Sequence, residues 1–443
     1  MAVSRQVLIT GGTLIDGTGA APRDNDGVLV EADRIVAVGP PALSQAAAEV
    51  ERVDATGCAV LPGLIDAHVH CTFDDVASND ELFFHREPTL AALVTARNLE
   101  KILRAGVTSI MDPDTVGGIG PSIRDAVEAG LCEGPRIRTG VQALLTSVGG
   151  TAGRLIPDDG TVGYAQIVNT VEDMRVWTRR HVKRGADWIK IHATGSIPTR
   201  PGELPVWTEA EMRVVCETAH DLGVPVTAHC RSAESTLWAA RAGVDLILHA
   251  SFLDEAGLEA VVERGAAICP TFTFLANLAD FGGAVGASPG MEDIFRGEIA
   301  ATGAMVRRAF DAGVPILCGS ESGFALTPYG HWHGREMEVL VEAVGLTPLE
   351  AITCATRNNA IAMRAAGELG TIEVGRAADV IVVDGDPIAD IRVLNDRTRM
   401  RAVISRGVPV ELDRPWPQWQ QPKGWKVSAW AERSLTRDVA YPG

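Results

Sequence analysis

Residues 61–70 read LPGLIDAHVH, a mostly apolar run that ends in two histidines with one residue between them. If the run is a strand, side chains at i and i+2 leave the same face, so the imidazoles of His68 and His70 point one way from the end of an apolar segment. That is a chelating geometry, although two histidines on a solvated strand end would read the same. The choice turns on whether the rest of the chain supplies partners that a fold could gather beside them.

From about residue 63, apolar strand-like runs alternate with amphipathic helical stretches. After GLIDAHVH come VTSIMD (107–112), RIRTGVQALL (136–145), ADWIKIHA (186–193), VPVTAHC (224–230), VDLILHA (244–250), AAICPTF (266–272) and VPILCGS (314–320). Between most of them lie helical segments such as LAALVTARNLEKILRAG, TEAEMRVVCETAHDLG and FRGEIAATGAMVRRAFDAG, each closing on glycine as helix C-termini commonly do. Eight such alternations predict an α/β fold, a (β/α)8 TIM barrel over residues 63–368, with its reactive side chains at the C-terminal strand ends. Residues 1–62 and 369–412 carry short β-like runs with no convincing helix in the first of them, so the two chain ends are expected to pair into one small β-sandwich. Residues 413–443 hold four of the nine tryptophans, and such apolar rings predict a tail packed on its own subunit or a neighbour.

Bulk composition narrows the partners. At 443 residues the chain exceeds one ordinary core, and 46% hydrophobic with 22% charged residues is globular. A formal charge of -17 argues against nucleic acid or an anionic membrane, both of which need a basic face, and leaves a small-molecule substrate. The start of the chain lacks signal-peptide features, no apolar stretch reaches spanning length, and the eight cysteines form no CxxC pair. The expectation is a cytoplasmic protein with reduced thiols, assembled as a homo-oligomer.

Placed on these strands, the polar residues converge. His68 and His70 end the first, Lys190 lies in the fourth, His229 ends the fifth, His249 ends the sixth and Glu321 follows the eighth. Burying so many polar groups together is costly unless something compensates their desolvation, and divalent metal does so: imidazole with carboxylate oxygen is the ligand set of catalytic zinc and related ions. Lys190 is the misfit, because an ammonium with a reference pKa of about 10.4 has no lone pair and is repelled by metal. A carbamate formed from the amine and carbon dioxide resolves it, giving an anionic arm that can bridge two cations; the alternative is a lysine paired with a neighbour such as Asp187.

At this point the chain resembles the metal-dependent amidohydrolase superfamily. Within it, the chain is similar to the imidazolonepropionase-like and Xaa-Pro or Xaa-Arg dipeptidase-like branch, with further similarity to phenylurea and thiocarbamate hydrolases. The matching residues are PGLIDAHVH, GADWIKIHATGS, VTAHC, AGVDLILHASFLD, GVPILCGSESG, the GHWHGREMEVLVEAVGLTPLEAITCATRNNA run, and LGTIEVGRAADVIVVDGDP. The resemblance implies two divalent ions per subunit, zinc foremost with cobalt, manganese or iron as substitutes. His68 and His70 would hold the more buried ion, His229 and His249 the second, and carbamylated Lys190 would bridge them.

Three departures qualify the match. Where the family has an Asp that touches metal and moves the proton, this chain has Glu321, longer by one bond of about 1.5 Å, so it must fold back or sit off the metal. Ser147-Val148-Gly149-Gly150-Thr151 replaces a Gly-Gly-His stretch of many relatives. Arg231 follows His229 and Cys230 and could clamp a substrate carboxylate or carbonyl, or form a structural ion pair. His192, Tyr329 and His331 are further candidates for substrate contact, and His333 shares their loop.

The implied chemistry is hydrolysis of a C–N bond next to a carbonyl, by attack of a metal-bridging hydroxide, with Glu321 passing the proton to nitrogen. A neutral amide, urea or carbamate is the preferred substrate class. A dipeptide or N-acyl amino acid is the alternative, and a noncatalytic scaffold of the same fold is the reading from another class.

Overall fold

The strand Val226–Cys230 is buried at every position, as expected of a parallel strand covered on both faces. In this computed structural model, which describes residues 5–76, 87–150, 155–158, 163–196, 203–416, 431 and 433–442, it pairs in parallel with Ile189–His192 and Leu246–His249. Ala267–Cys269, Ala143–Leu145 and Ala165–Ile167 complete a six-stranded sheet. A second parallel sheet joins Leu64–Asp66, Val107–Asp112 and Arg136–Thr139.

Backbone bonds span both gaps between these sheets. At one, the Asp187 amide donates to the Thr139 carbonyl at 2.7 Å; at the other, Leu317 donates to Ile268 at 2.8 Å and Ala67 to Cys318 at 2.9 Å. The architecture is TIM-barrel-like α/β. Helices Pro88–Arg104, Glu209–His220 and Met291–Asp311 fall where the amphipathic stretches predict them. Thr208 opens the second with a capping box, its hydroxyl accepting from Glu211, while Gly106, Gly223 and Gly313 take positive φ just past the helix ends.

Three strand expectations need correction. The run 136–145 breaks into two strands at Gly140, which passes so close to Pro113 that a Cβ would sit 1.9 Å from its carbonyl oxygen. The run 314–320 makes only an isolated parallel bridge, Ile268 to Ile316, and the first strand stops at Asp66, two residues before His68. In both, side-chain bonds take over where the ladder stops: Asn359 Oδ1 accepts from Cys318, and Asp66 Oδ1 accepts from the amides of His68 and Ser320.

The chain ends form two further sheets. One orders Arg34–Val38, Val28–Glu31, Gln6–Thr10 and Glu51–Asp54; the other runs through Val408–Pro409, Met400–Ser405, Val380–Asp384, Cys58–Pro62, Thr13–Leu14 and Arg23–Asp24. Val7, Ile9, Val28 and Ile35 of the first share one apolar cluster with Val60, Val380, Val382 and Ile404 of the second. A short helix, Pro40–Gln45, stands where no helix is expected, its paired prolines at the first turn.

In the tail, Trp416 receives the guanidinium groups of Arg397 and Arg104, 4.1 and 5.2 Å from a ring centroid. Leu435 is buried beside Trp332, whose indole donates to its carbonyl at 2.6 Å. Trp419, Trp425 and Trp430 lie outside the described residues. The eight cysteines are free thiols, and among the described residues no helix is long and apolar enough to cross a membrane.

Gly140→Ala should destabilise the chain by about 1–3 kcal/mol, the usual cost of forced overpacking, read by equilibrium urea unfolding. His181, on Val171–Lys183, is fully buried with neither ring nitrogen bonded among the described residues, and burial, aided by Arg184, pushes its pKa from 6.5 down to about 3. Between those values the unfolded chain binds a proton that the folded chain refuses, so stability falls as pH drops through the window. His181→Leu should flatten that acid limb by up to about 1.4 kcal/mol per pH unit, which unfolding titrations at several pH values would detect.

Candidate metal centre

Past Asp66 the chain is held by a clamp rather than by a ladder. Asp66 Oδ1 accepts from the amides of His68 at 3.2 Å and Ser320 at 3.0 Å, while its other oxygen lies 2.8 Å from His333 Nδ1. The Glu321 amide donates to the His68 carbonyl and the His70 amide to the Ser322 carbonyl, both at 2.8 Å. The two histidines therefore leave a clamped loop instead of one strand face, with ring centroids 5.0 Å apart and planes at 68°.

The other elements bring their side chains to this loop. Parallel register sets His192 beside His229 and Cys230 beside His249. Ring centroids of His68 and His249 are 5.3 Å apart, and those of His229 and His249 are 4.5 Å apart. His68, His70, Lys190, His229 and His249 are each at most 5% exposed, so water does little to compensate their polarity. His249, Thr271 and Glu321 hold φ of 67°, 56° and 54°, left-handed conformations that non-glycine residues rarely adopt and that cluster at functional sites.

One ligand-capable atom from each of His68, His249 and Glu321 lies within 4.8 Å of the others. Partners on the far side of the rings decide which nitrogen is left over. His68 Nδ1 lies 3.1 Å from Thr271 Oγ1, and its Nε2 has no hydrogen-bond partner among the described residues. His229 Nε2 lies 2.7 Å from Glu203 Oε2, and His249 Nε2, like His68 Nε2, is unpartnered among the described residues. Burial lowers the pKa of all three rings, keeping them neutral with a lone pair to offer.

Burial also lowers Lys190, against the opposing pull of Asp114 and Glu321. Glu321 is pushed up to about 8 by burial, with Arg231 and Lys190 opposing, and its Oε1 lies 3.9 Å from His249 Nε2. The longer glutamate arm thus reaches the same place as the histidines.

The substrate-contact candidates fare differently. Arg231 turns to acidic partners: Nη2 donates to both oxygens of Glu298 at 2.9 and 2.7 Å, and Nη1 to Glu203 at 3.3 Å. This is the structural ion pair rather than a free clamp. Burial pushes the Glu203 carboxyl up, but His229 and Arg231 outweigh it and hold the group below the usual carboxylate range. Tyr329 is buried, its hydroxyl donating to the His70 carbonyl at 2.5 Å, so it supports the histidine loop and has little surface for a substrate. His331 meets Trp416 at 6.2 Å and accepts from the Arg437 amide at 3.4 Å. His192 stacks on His229 at 4.8 Å. Asp187 pairs with Arg124 and Arg138, and Lys190 has Asp114 at 3.9 Å instead. In the 147–151 run, Gly150 bridges to Gly195, and Thr151 lies outside the described residues.

Two acids escaped the sequence reading. Asp114 belongs to the Asp-Pro-Asp run directly after the second strand, a visible if unspecific signal. Glu203 carries none: it arrives through the antiparallel pairing of Glu203–Pro205 with Thr194–Ser196.

The Amidohydrolase family profile matches residues 59–410, which contain every residue of this cluster. The chain belongs to the amidohydrolase family. This amidohydrolase is 27% identical to ochratoxinase of Aspergillus niger over 461 aligned positions, covering 97% of this chain and 89% of the relative. A solved Xaa-Pro dipeptidase with bound methionine in the active site is similar at 28% identity and a TM-score of 0.79, covering 92% of this chain and 100% of the other. Molinate hydrolase, at 23% identity and a TM-score of 0.76 over 97% and 100% of the chains, shares the fold. The amidohydrolase is a hydrolase of carbon–nitrogen bonds, and the family implies divalent metal. The donor set fits it: neutral buried imidazoles with unpartnered nitrogens beside a carboxylate.

Glu203→Gln should cost about 1.5–3 kcal/mol, the worth of a hydrogen bond to a charged group, because His229 and Arg231 both lose the anion. A thermal and urea unfolding comparison with wild type would show it, and equal stability would remove Glu203 from that role.

Proposed function

We propose that the chain is a dinuclear metal hydrolase of a neutral amide, urea or carbamate. In this reading His68, His70, His229, His249 and carbamylated Lys190 hold two divalent ions, and Glu321 moves the proton. The observation that carries it is the meeting of the unpartnered His68 and His249 nitrogens with Glu321 within 4.8 Å, deep in the fold. The reading also takes the two parallel sheets, joined by the backbone bonds of Asp187 to Thr139, Leu317 to Ile268 and Ala67 to Cys318, as one closed barrel, and the paired end sheets as a sandwich. Bound divalent metal polarises a carbonyl and makes hydroxide available at neutral pH.

The protein's own residues do the rest. Lowering the Lys190 pKa by burial raises its share of free amine, the form that takes up carbon dioxide. Glu321, its ionised form favoured beside divalent metal, would accept a proton on the attacking side and return it to the departing nitrogen, which leaves poorly as an anion. Phe73 stacks on His70 at 4.3 Å, Phe324 lies 5.8 Å from His70, and Tyr164 lies 5.7 Å from His192, so aromatic rings border the histidines, surroundings that suit an aryl group.

Substrate charge follows from Arg231. With its guanidinium neutralised by Glu298 and Glu203, the side chain that could have met a substrate carboxylate is already satisfied. Identity to the dipeptidase and to ochratoxinase over nearly the whole chain supports the second reading, a dipeptide or N-acyl amino acid.

Three outcomes are expected. Elemental analysis of protein from metal-replete growth should give close to two ions per subunit. Lys190→Ala should lose metal and at least 100-fold in turnover, with short carboxylic acids restoring part of both; full activity in that variant would overturn the bridge. A screen of aryl amides and ureas against dipeptides and N-acyl amino acids should favour the first group, and turnover confined to the second would hand the assignment to the alternative.

A further inference from the structure

The second strand ends in two acids with different fates. Asp112 is committed to the neighbouring loop, accepting from the Cys71 amide at 3.0 Å and its thiol at 2.7 Å. Asp114 is wholly buried and, among the described residues, pairs with no cation outside the cluster: its Oδ1 lies 2.9 Å from His70 Nδ1, and its Oδ2 lies 3.4 Å from His192 Nε2 and 3.9 Å from Lys190 Nζ. Three basic groups, two from the strand Ile189–His192 and one from the loop after the first strand, therefore converge on one carboxylate.

We propose that Asp114 is a positioning residue of the metal centre, fixing His70 so that Nε2 faces an ion and tying it to Lys190 and His192. This rests on the dinuclear reading above. The physical ground is the cost of its own burial: a carboxylate without water needs donors, and here the available donors are candidate ligands and a ring stacked on one. The 2.9 Å approach to His70 Nδ1 is off the line of a hydrogen bond, so both atoms remain unsatisfied. With Nε2 held on an ion, the proton of the neutral ring would sit on Nδ1, the nitrogen that lies 2.9 Å from Asp114.

A carboxylate behind a ligating imidazole sets its tautomer and raises its basicity, and losing such a partner typically weakens metal binding 10- to 100-fold. Asp114 also acts beyond His70. Through Lys190 it meets the bridging arm, and through His192 it meets a ring stacked on His229 at 4.8 Å and 7°. One substitution should therefore weaken both ions rather than one.

The test is Asp114→Asn, which keeps shape and removes charge, with Asp114→Ser as the second variant should the first not fold. Zinc affinity is measured by chelator competition, the cobalt-substituted protein by its visible absorption, and the metal-free protein by its melting temperature. Expected are at least tenfold weaker binding of both ions and an altered cobalt spectrum, with metal-free melting near wild type, a combination that a purely structural role would not produce. Two ions in wild type with unchanged affinity and spectrum in the variant would overturn this inference alone, as would a lowered melting temperature with unchanged affinity. A wild type that binds no metal would overturn the dinuclear reading and this inference with it.

Discussion

Desolvation is the constraint on which the centre depends. Four imidazoles, an amine and two acids lie at one end of the parallel strands, and the imidazoles and amine are all but inaccessible to water. In such surroundings each polar atom must be paired or must pay several kcal/mol. The fold meets part of that cost with outward partners, Thr271 for His68 and Glu203 for His229, while Asp114 approaches His70 Nδ1 at 2.9 Å without completing a hydrogen bond. What is left unpartnered among the described residues includes His68 Nε2 and His249 Nε2, on rings whose pKa burial lowers, and a neutral imidazole nitrogen is what holding a cation requires.

Asp66 is the mechanical counterpart. With one carboxylate it binds the amides of His68 and Ser320 and the ring of His333, so the first and eighth strand ends are registered against each other by side-chain bonds where their ladder stops. His68 and Glu321 come from those two ends, joined by the bond between the Glu321 amide and the His68 carbonyl. Their spacing therefore does not depend on loop conformation. The left-handed backbone at His249, Thr271 and Glu321 belongs to the same arrangement, since each turns its side chain out of the direction a continuing strand would give it.

Much of this was legible in the sequence because it is periodic or local. Apolar runs such as VTSIMD and VTAHC are strands at the expected positions, and the helices between them start and stop at capping residues that the sequence displays. His229 and His249 were legible as candidates because they sit at strand ends, whereas His68, His70 and Glu321 stand on segments past the ladder that the sequence reads as strand. What was not legible is tertiary. Glu203 and Glu298 occupy Arg231 from a distant hairpin and a distant helix, and no local pattern distinguishes that from a free arginine. The break at Gly140 depends on the approach of Pro113, and the loss of ladder at 314–320 depends on Asn359, 41 residues from Cys318.

The pairing of the two chain ends has a bearing on how the molecule is made. Cys58–Pro62 takes Val380–Asp384 as its antiparallel neighbour, so an edge near the start of the chain waits for a segment synthesised over 300 residues later. At roughly 5–20 residues per second on the ribosome, that interval is on the order of tens of seconds. During it the strand Cys58–Pro62 lacks its neighbour, and an unpaired edge of that kind favours intermolecular pairing the more, the slower its partner segment arrives.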